Sequence, residues 1–261
     1  MLLKYRSVSV AATLALICAF TSKVAVSADN APAPPKVSTF APAKDLANQA
    51  DYFIKELEKT VASEDEYKDG QEKVAKDSNT LIIIALALGL HDQPSKYQAS
   101  AGDLMKAAQA VAATKDFASA KKAVADLQQA AANNGAVKAE LKWEKVASLP
   151  ELMKQVPLIN TKLKRNVKPE KFKKKAKDTA GYTAVIAAIA QGSIADLSET
   201  KSPEQVKQWY KFSAAMRDDA GEVNAAIHKR DEPAAAKAMK KLAQSCEDCH
   251  AVFHPGVKID E

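Results

Sequence analysis

Two cysteines and a histidine stand close together near the end of the chain, as Cys246-Glu-Asp-Cys249-His250. Thiols three residues apart lie about one turn apart on a helix, so each can form a thioether bond with one of the two vinyl groups of a haem. The histidine that follows can bind the haem iron through a ring nitrogen. The pattern therefore predicts that Cys246 and Cys249 attach one covalent haem c and that His250 is the proximal iron ligand.

Two other chemistries use the same residue types. A Cys-x-x-Cys redox pair normally follows a strand and opens a helix, where the helix dipole lowers the thiol pKa, whereas this pair stands at the far end of a predicted helix. A zinc site needs a fourth ligand, which His254 could supply, although zinc ligands usually come as separated pairs. A disulfide between residues this close would add little stability. The redox and zinc sites stay open as alternatives to haem attachment.

The helix that carries the motif is predicted to begin at Asp231-Glu232-Pro233, because proline is favoured in the first turn of a helix. Beyond that point, apolar and cysteine side chains recur at intervals of three and four residues: Met239, Leu242, Cys246, Cys249 and Phe253. Residues with this spacing share one face of a helix. We therefore expect both thiols to face the core of a helical bundle.

The first 28 residues resemble a secretory signal. Lys4 and Arg6 precede an apolar run over 8–20, and small residues lead to a cleavage site after Ala28. The run is too short for a transmembrane span, which needs about 20 residues; an uncleaved anchor is the alternative. Because Cys18 falls within the signal, we expect a mature periplasmic protein whose cysteines are those of the motif.

The remainder of the chain is predicted to be all-α, since apolar residues recur at three and four and only eight glycines occur. The segment 29–40 is a Pro-rich linker. Beyond it, "KDSNTLIIIALALGL" from Lys76 parallels "KDTAGYTAVIAAIAQ" from Lys177, and the stretch from Lys115 parallels the one from Arg230. Such a repeat predicts two tandem antiparallel four-helix bundles, over 41–135 and 146–255, joined by a linker at 136–145.

The first copy lacks the motif. Ala131, Asn134 and Gly135 occupy the positions that correspond to the two cysteines and the histidine, so we expect one haem per chain, in the second bundle. The helix that includes 81–90 is apolar on nearly all sides, which indicates burial on more than one side. It is expected to pack against the second bundle or against another subunit in a homodimer.

A four-helix bundle with Cys-x-x-Cys-His-x-x-aromatic in its last helix resembles the class II c-type cytochromes, the cytochrome c′ family. The resemblance covers 146–255 with the motif and 41–135 as a bundle without it. It implies a haem between the helices, the motif histidine as fifth ligand, and a sixth position that is either open or filled by a methionine of the first helix. By position that methionine is Met153. Phe253 matches the family's aromatic residue, whereas His254 stands where a basic residue is common.

The resemblance implies two alternative functions, neither of them enzymatic. With Met153 as the distal ligand, the protein would be a periplasmic mono-haem cytochrome that carries electrons. With the distal position open, it would be a five-coordinate haem protein that binds nitric oxide or carbon monoxide. Met153 could otherwise be a flexible core side chain, and Met216 continues a core stripe of its own helix.

Positive charge is concentrated in the segment 162–177, which has nine Lys or Arg residues and one Glu. Most runs of this kind are solvated surface, and the alternative is a docking site for an acidic redox partner. The formal net charge of the whole chain is only +6, and three of those charges belong to the signal. This charge does not indicate a nucleic-acid partner.

Overall fold

The structure, a computed structural model, describes residues 31–133 and 140–256. The described residues are all-α, as the sequence predicts, with eight helices and no strand. They follow a 3₁₀ turn at Val37–Thr39 and are α1 Ala43–Thr60, α2 Glu64–Gly89, α3 Ala101–Ala112, α4 Phe117–Ala132, α5 Leu149–Asn166, α6 Pro169–Ser193, α7 Pro203–His228 and α8 Glu232–Phe253. The predicted signal and residues 136–139 of the predicted linker at 136–145 lie outside the described ranges. Within these ranges, no helix is long and apolar enough to cross a membrane.

Side-chain caps define where several helices begin. Ser63, Asp116, Ser202 and Asp231 each accept a hydrogen bond from the backbone N–H three residues on, at the starts of α2, α4, α7 and α8. Such caps satisfy N–H groups that have no partner within the helix. The cap at Asp231 sets the start of α8, and the cysteine motif therefore falls in its last two turns.

The eight helices form two tandem groups of four. In the first, each helix packs against the next, and α4 returns to pack against α1. In the second, α5, α6, α7 and α8 also pack in succession, but the described parts of α5 and α8 approach each other closely at few positions. We call this boundary the α5–α8 seam. The α5–α8 seam has the sparsest direct helix packing among the neighbouring helix pairs of the second bundle.

The apolar helix α2 joins the two groups. Every residue from Asp77 to Leu88 is buried, and α2 packs against α5 and α6 as well as against α1 and α3. A side chain at Gly192 of α6 would have its Cβ only 2.7 Å from Cδ1 of Ile83, so the missing side chain allows this close approach. The expectation that α2 packs against the second bundle is confirmed, and one hydrophobic core continues through both groups.

Buried polar contacts also join the groups. The Asp45 carboxylate of α1 accepts a hydrogen bond from Asn224 Nδ2 (3.0 Å) and lies 2.7 Å from His228 Nε2, both on α7. Phe40 is buried against Gly221 of α7, so the C-terminal end of the predicted 29–40 linker is part of the core rather than a free extended segment. Glycine suits position 221, because a Cβ there would lie 3.1 Å from Phe40 Cα and would crowd the backbone of Phe40.

Candidate functional site

One end of the second bundle has a small hydrophobic cluster of its own. Its buried members come from the start of α5, the end of α6 and the first turns of α7, and they are Leu149, Ile194, Val206, Trp209 and Tyr210. Met153, Leu197, Cys249 and Phe253 pack against them. We call these nine residues the site cluster. The fold therefore brings the second cysteine of the motif and the methionine of α5 to the same apolar cluster.

Both motif cysteines lie at the margin of the core. Met239 and Leu242 of α8 are buried, as their spacing predicts, whereas Cys246 and Cys249 are half-buried and have free thiols. Cys246 packs against the main core, and Cys249 packs against the site cluster. The thiols are thus held by the bundle and remain accessible from one side.

The thiols are in their protonated form at neutral pH. Burial raises the pKa of Cys246 to about 11, and burial followed by the neighbouring Cys246 raises the pKa of Cys249 to about 11. Dithiol oxidoreductases need the opposite shift, because the thiolate is the nucleophile. In the ranges that the structure covers there is also no strand ahead of α8. Both observations disfavour the redox alternative.

A pH dependence follows for the free thiols. The test uses protein produced without its signal, so that both thiols stay free. Its rate of alkylation by iodoacetamide should be slow near neutral pH and should rise about tenfold per pH unit, because the thiolate fraction grows. The rate should level off near the pKa of about 11. The measurement is the alkylation rate followed by mass spectrometry. Rapid alkylation near neutral pH would instead indicate an activated redox pair.

One ring nitrogen of His250 is left without a hydrogen-bond partner by the fold. Its ring is half-buried, and its Nδ1 atom is buried without a hydrogen-bond partner. Burial lowers the pKa of His250, and the nearby His254, whose ring centroid is 5.7 Å away, lowers it further. A neutral imidazole, which the lowered pKa favours, is the form that binds a metal. Two thiols one helical turn apart, followed directly by such an imidazole, match the groups that hold a c-type haem.

The zinc alternative is not supported by the side-chain arrangement. Across 31–133 and 140–256, no group of three or more His, Cys, Asp or Glu side chains converges as a metal ion would require. His254 points elsewhere, since its Nε2 lies 3.7 Å from Oε2 of Glu199 in the α6–α7 loop. A haem iron needs only axial protein ligands, so the haem prediction does not depend on such a group.

Aromatic packing holds the last turn of α8. The ring of Phe253 meets Trp209 edge to face, with centroids 5.1 Å apart, and Phe212 at 6.4 Å. Trp209 is itself fixed, because its Nε1–H donates to the carbonyl oxygen of Ser193 at 2.8 Å. The Trp209–Ser193 hydrogen bond and the Phe253–Trp209 ring contact together link α6, α7 and α8 and hold the turn that carries His250. The sequence places Trp209 on a helix stripe but does not indicate its contact with Ser193.

Removing the Phe253 ring should loosen this turn. We expect Phe253→Ala to destabilise the protein by about 2 kcal/mol, because a half-buried aromatic ring and its edge-to-face contacts are lost. The adjacent Val252 is exposed, and Val252→Ala should change stability by less than about 0.5 kcal/mol. Denaturant unfolding of both variants tests this, and equal effects would show that the Trp209–Phe253 contact is not stabilising.

The two candidate methionines lie in different surroundings. Met153 is half-buried and contacts both the main core and the site cluster, whereas Met216 is packed against the main core alone. Met153 is therefore the methionine that shares a cluster with the cysteine motif.

The first bundle is described only in part at the positions that correspond to the motif. Ala131 is half-buried on α4, while Asn134 and Gly135 lie outside the described residues.

The basic segment 162–177 spans two different environments. Lys162 lies between the rings of Tyr52 and Tyr182, 5.3 and 5.2 Å from their centroids, where the two bundles meet. The part over 168–177 instead covers the first turns of α6. At about 1.5 Å per residue, Lys173 is about 30 Å along α6 from Ser193 at the site cluster. These lysines therefore lie at the opposite end of the bundle from the cysteine motif.

Comparisons with protein-family models, with curated proteins and with solved structures found no match to this chain. The interpretation of the site therefore depends on the residue chemistry and the geometry described above.

Proposed function

We propose that this protein is an exported, periplasmic mono-haem c-type cytochrome that carries electrons. The observation that carries the proposal is the arrangement on the last turns of α8, where two neutral thiols and an imidazole with an unpartnered buried nitrogen adjoin an apolar cluster. The resemblance to class II c-type cytochromes in the motif and the bundle supports it. Cys246 and Cys249 would hold the haem, and His250 would be its proximal ligand.

The attachment chemistry would involve both thiols of the motif. Cys246 and Cys249 would each hold the haem through one thioether bond, in which Sγ joins one carbon of a vinyl group, the thiol hydrogen joins the other, and the vinyl π bond is lost. No external oxidant or reductant is consumed in this addition. When bound, haem supplies an iron that accepts and releases one electron. His250 contributes the ring nitrogen, and the site cluster excludes water from the apolar side of the site.

A redox partner would exchange electrons at the α8 end of the bundle. Electron tunnelling falls off exponentially with distance, and the lysines over 168–177 are about 30 Å along α6 from the site cluster. Docking at these lysines would therefore leave a long electron path. We accordingly assign partner docking to the surface around Cys249 and Phe253, in place of the basic segment 162–177 that the sequence offers as an alternative docking site.

The distal position decides between electron transfer and gas binding. Met153 contacts the same cluster as Cys249 and Phe253, which favours a methionine ligand and a six-coordinate iron. An open distal position would favour the alternative, a five-coordinate haem protein that binds nitric oxide or carbon monoxide.

A substitution at Met153 separates the two functions. We expect Met153→Ala to convert a low-spin ferrous spectrum that is unchanged by carbon monoxide into a high-spin spectrum that responds to it. Met216→Ala, which removes a methionine from the main core, is the control and should leave the spectrum unchanged. If the native protein already binds carbon monoxide readily, Met153 is not a ligand and gas binding is the better function.

Covalent haem on the exported chain tests the proposal itself. The full-length precursor would be produced in a bacterium that attaches haem to exported c-type cytochromes, and the mature chain would be separated on a denaturing gel. The expected result is a band that keeps haem peroxidase staining after denaturation. A well-exported, folded chain without covalent haem would contradict the proposal.

A further inference from the structure

The strongest unexplained feature of the surface is a positive end on the second bundle. We call it the basic end, and it consists of residues 168–177 on the first turns of α6 together with Lys229 and Arg230 in the α7–α8 turn. The side chains of Lys168, Lys173, Lys174 and Lys177 are exposed, and none has an ion-pair partner within the part of the chain that the structure describes. Even with Glu170 within it and Asp178, Asp231 and Glu232 beside it, the basic end keeps a net positive charge.

Arg230 connects the two parts of the basic end. Its guanidinium Nη1 donates to the backbone carbonyl of Lys173 at 2.9 Å, so the α7–α8 turn is tied to the first turns of α6. Arg230 also has a φ of 59°, a left-handed conformation that glycine or asparagine adopts at less cost. The turn thus contains an arginine where the backbone favours a smaller residue, and this arginine adds to the positive charge.

Apart from the exposed Pro169, the basic end offers no apolar side chain on which a protein partner could anchor. The large apolar residue of this part of α6, Phe172, is 1 % exposed, and Ala176 and Ala180 also face the core. Specific protein interfaces are centred on buried aromatic or aliphatic anchors, and single-stranded nucleic acids are bound by exposed aromatic rings. Exposed lysines spread over one end of a bundle are instead suited to a diffuse anionic surface, because such a surface attracts positive charge without requiring shape complementarity.

We infer that the basic end binds the anionic lipid headgroups of a membrane surface. Such binding would hold the mature protein at the membrane with the cysteine motif, at the other end of the bundle, directed away from the lipid. The inference rests on surface charge and does not depend on whether haem is attached.

Vesicle binding tests this inference. The full mature chain would be centrifuged with vesicles of phosphatidylcholine alone and of phosphatidylcholine with phosphatidylglycerol, at low and at high salt. The expected result is binding to the anionic vesicles at low salt, little binding to the neutral ones, and release by salt. In a triple variant, Lys173→Gln, Lys174→Gln and Lys177→Gln, the affinity for anionic vesicles should fall at least about tenfold.

The control variant removes the same net charge elsewhere. Lys55, Lys106 and Lys115 of the first bundle are exposed, and their joint replacement by glutamine should leave vesicle binding within about twofold of native. An equal loss in this control would mean that net charge alone is responsible and would overturn the inference. The inference would also be overturned if the native protein did not bind anionic vesicles, or if it bound soluble poly-glutamate more tightly than the vesicles.

Discussion

Replacing Cys246 and Cys249 together by alanine should abolish covalent haem and leave the second bundle poorly packed. Covalent haem is lost because neither thioether bond can form without Sγ. Stability is lost because a ligand that binds only the folded state stabilises that state, and the variant no longer retains the ligand. We expect the melting temperature to fall by about 10 °C, measured by circular dichroism alongside haem staining. The α5–α8 seam, where direct helix packing is sparse, should be the region affected.

Two single variants are the controls for this result. Cys246→Ala should keep haem through one thioether in lower yield, and His250→Ala should keep some attached haem while losing the spectrum of the proximal bond. The double variant and His250→Ala therefore separate attachment from ligation. A double variant that is as stable and as fully folded as the native protein would contradict a haem-filled interior in the second bundle.

Separating the second bundle from the first should have a similarly large effect. Expressed alone, the fragment 136–261 should aggregate or unfold, because the faces of α5 and α6 that pack against α1 and α2 would be exposed. Each fully buried aliphatic side chain contributes about 1.5–3 kcal/mol, and several are lost at once from a total stability of about 5–15 kcal/mol. Circular dichroism and size-exclusion chromatography of the fragment measure this.

A nicked chain is the matched control for the fragment. A protease site introduced at 134–139 would break the chain while keeping both halves present, and the cleaved protein should remain associated with nearly native stability. A fragment 136–261 that is monomeric, takes up haem and melts like the intact protein would show that the first bundle is not a structural support.

Local patterns account for what could be predicted from the sequence. The helices follow from apolar residues at intervals of three and four, and the start of α8 follows from Asp231 and Pro233. The apolar character of α2 likewise predicts burial on several sides, which Ile83 against Gly192 illustrates. Each of these features depends on neighbours in the sequence or on the composition of a single helix.

Contacts between distant residues could not be predicted in this way. Asp45 accepts from Asn224 across 179 positions, and Trp209 donates to Ser193 across a loop, so neither contact leaves a periodic signal. The Pro-rich composition of 29–40 similarly favours an extended linker, although Phe40 is buried because Gly221 leaves room for it. Which end of the bundle carries the lysines of 168–177 also depends on helix direction, which charge composition does not reveal.

The intact mass of the exported, mature chain tests the central claim most directly. The account predicts that the mass exceeds that of the polypeptide from Asp29 by one haem, and that after tryptic digestion the added mass stays on the peptide that begins at Leu242 and contains Cys246 and Cys249. A mature chain with the mass of the polypeptide alone, or with the added mass on a different peptide, would contradict it.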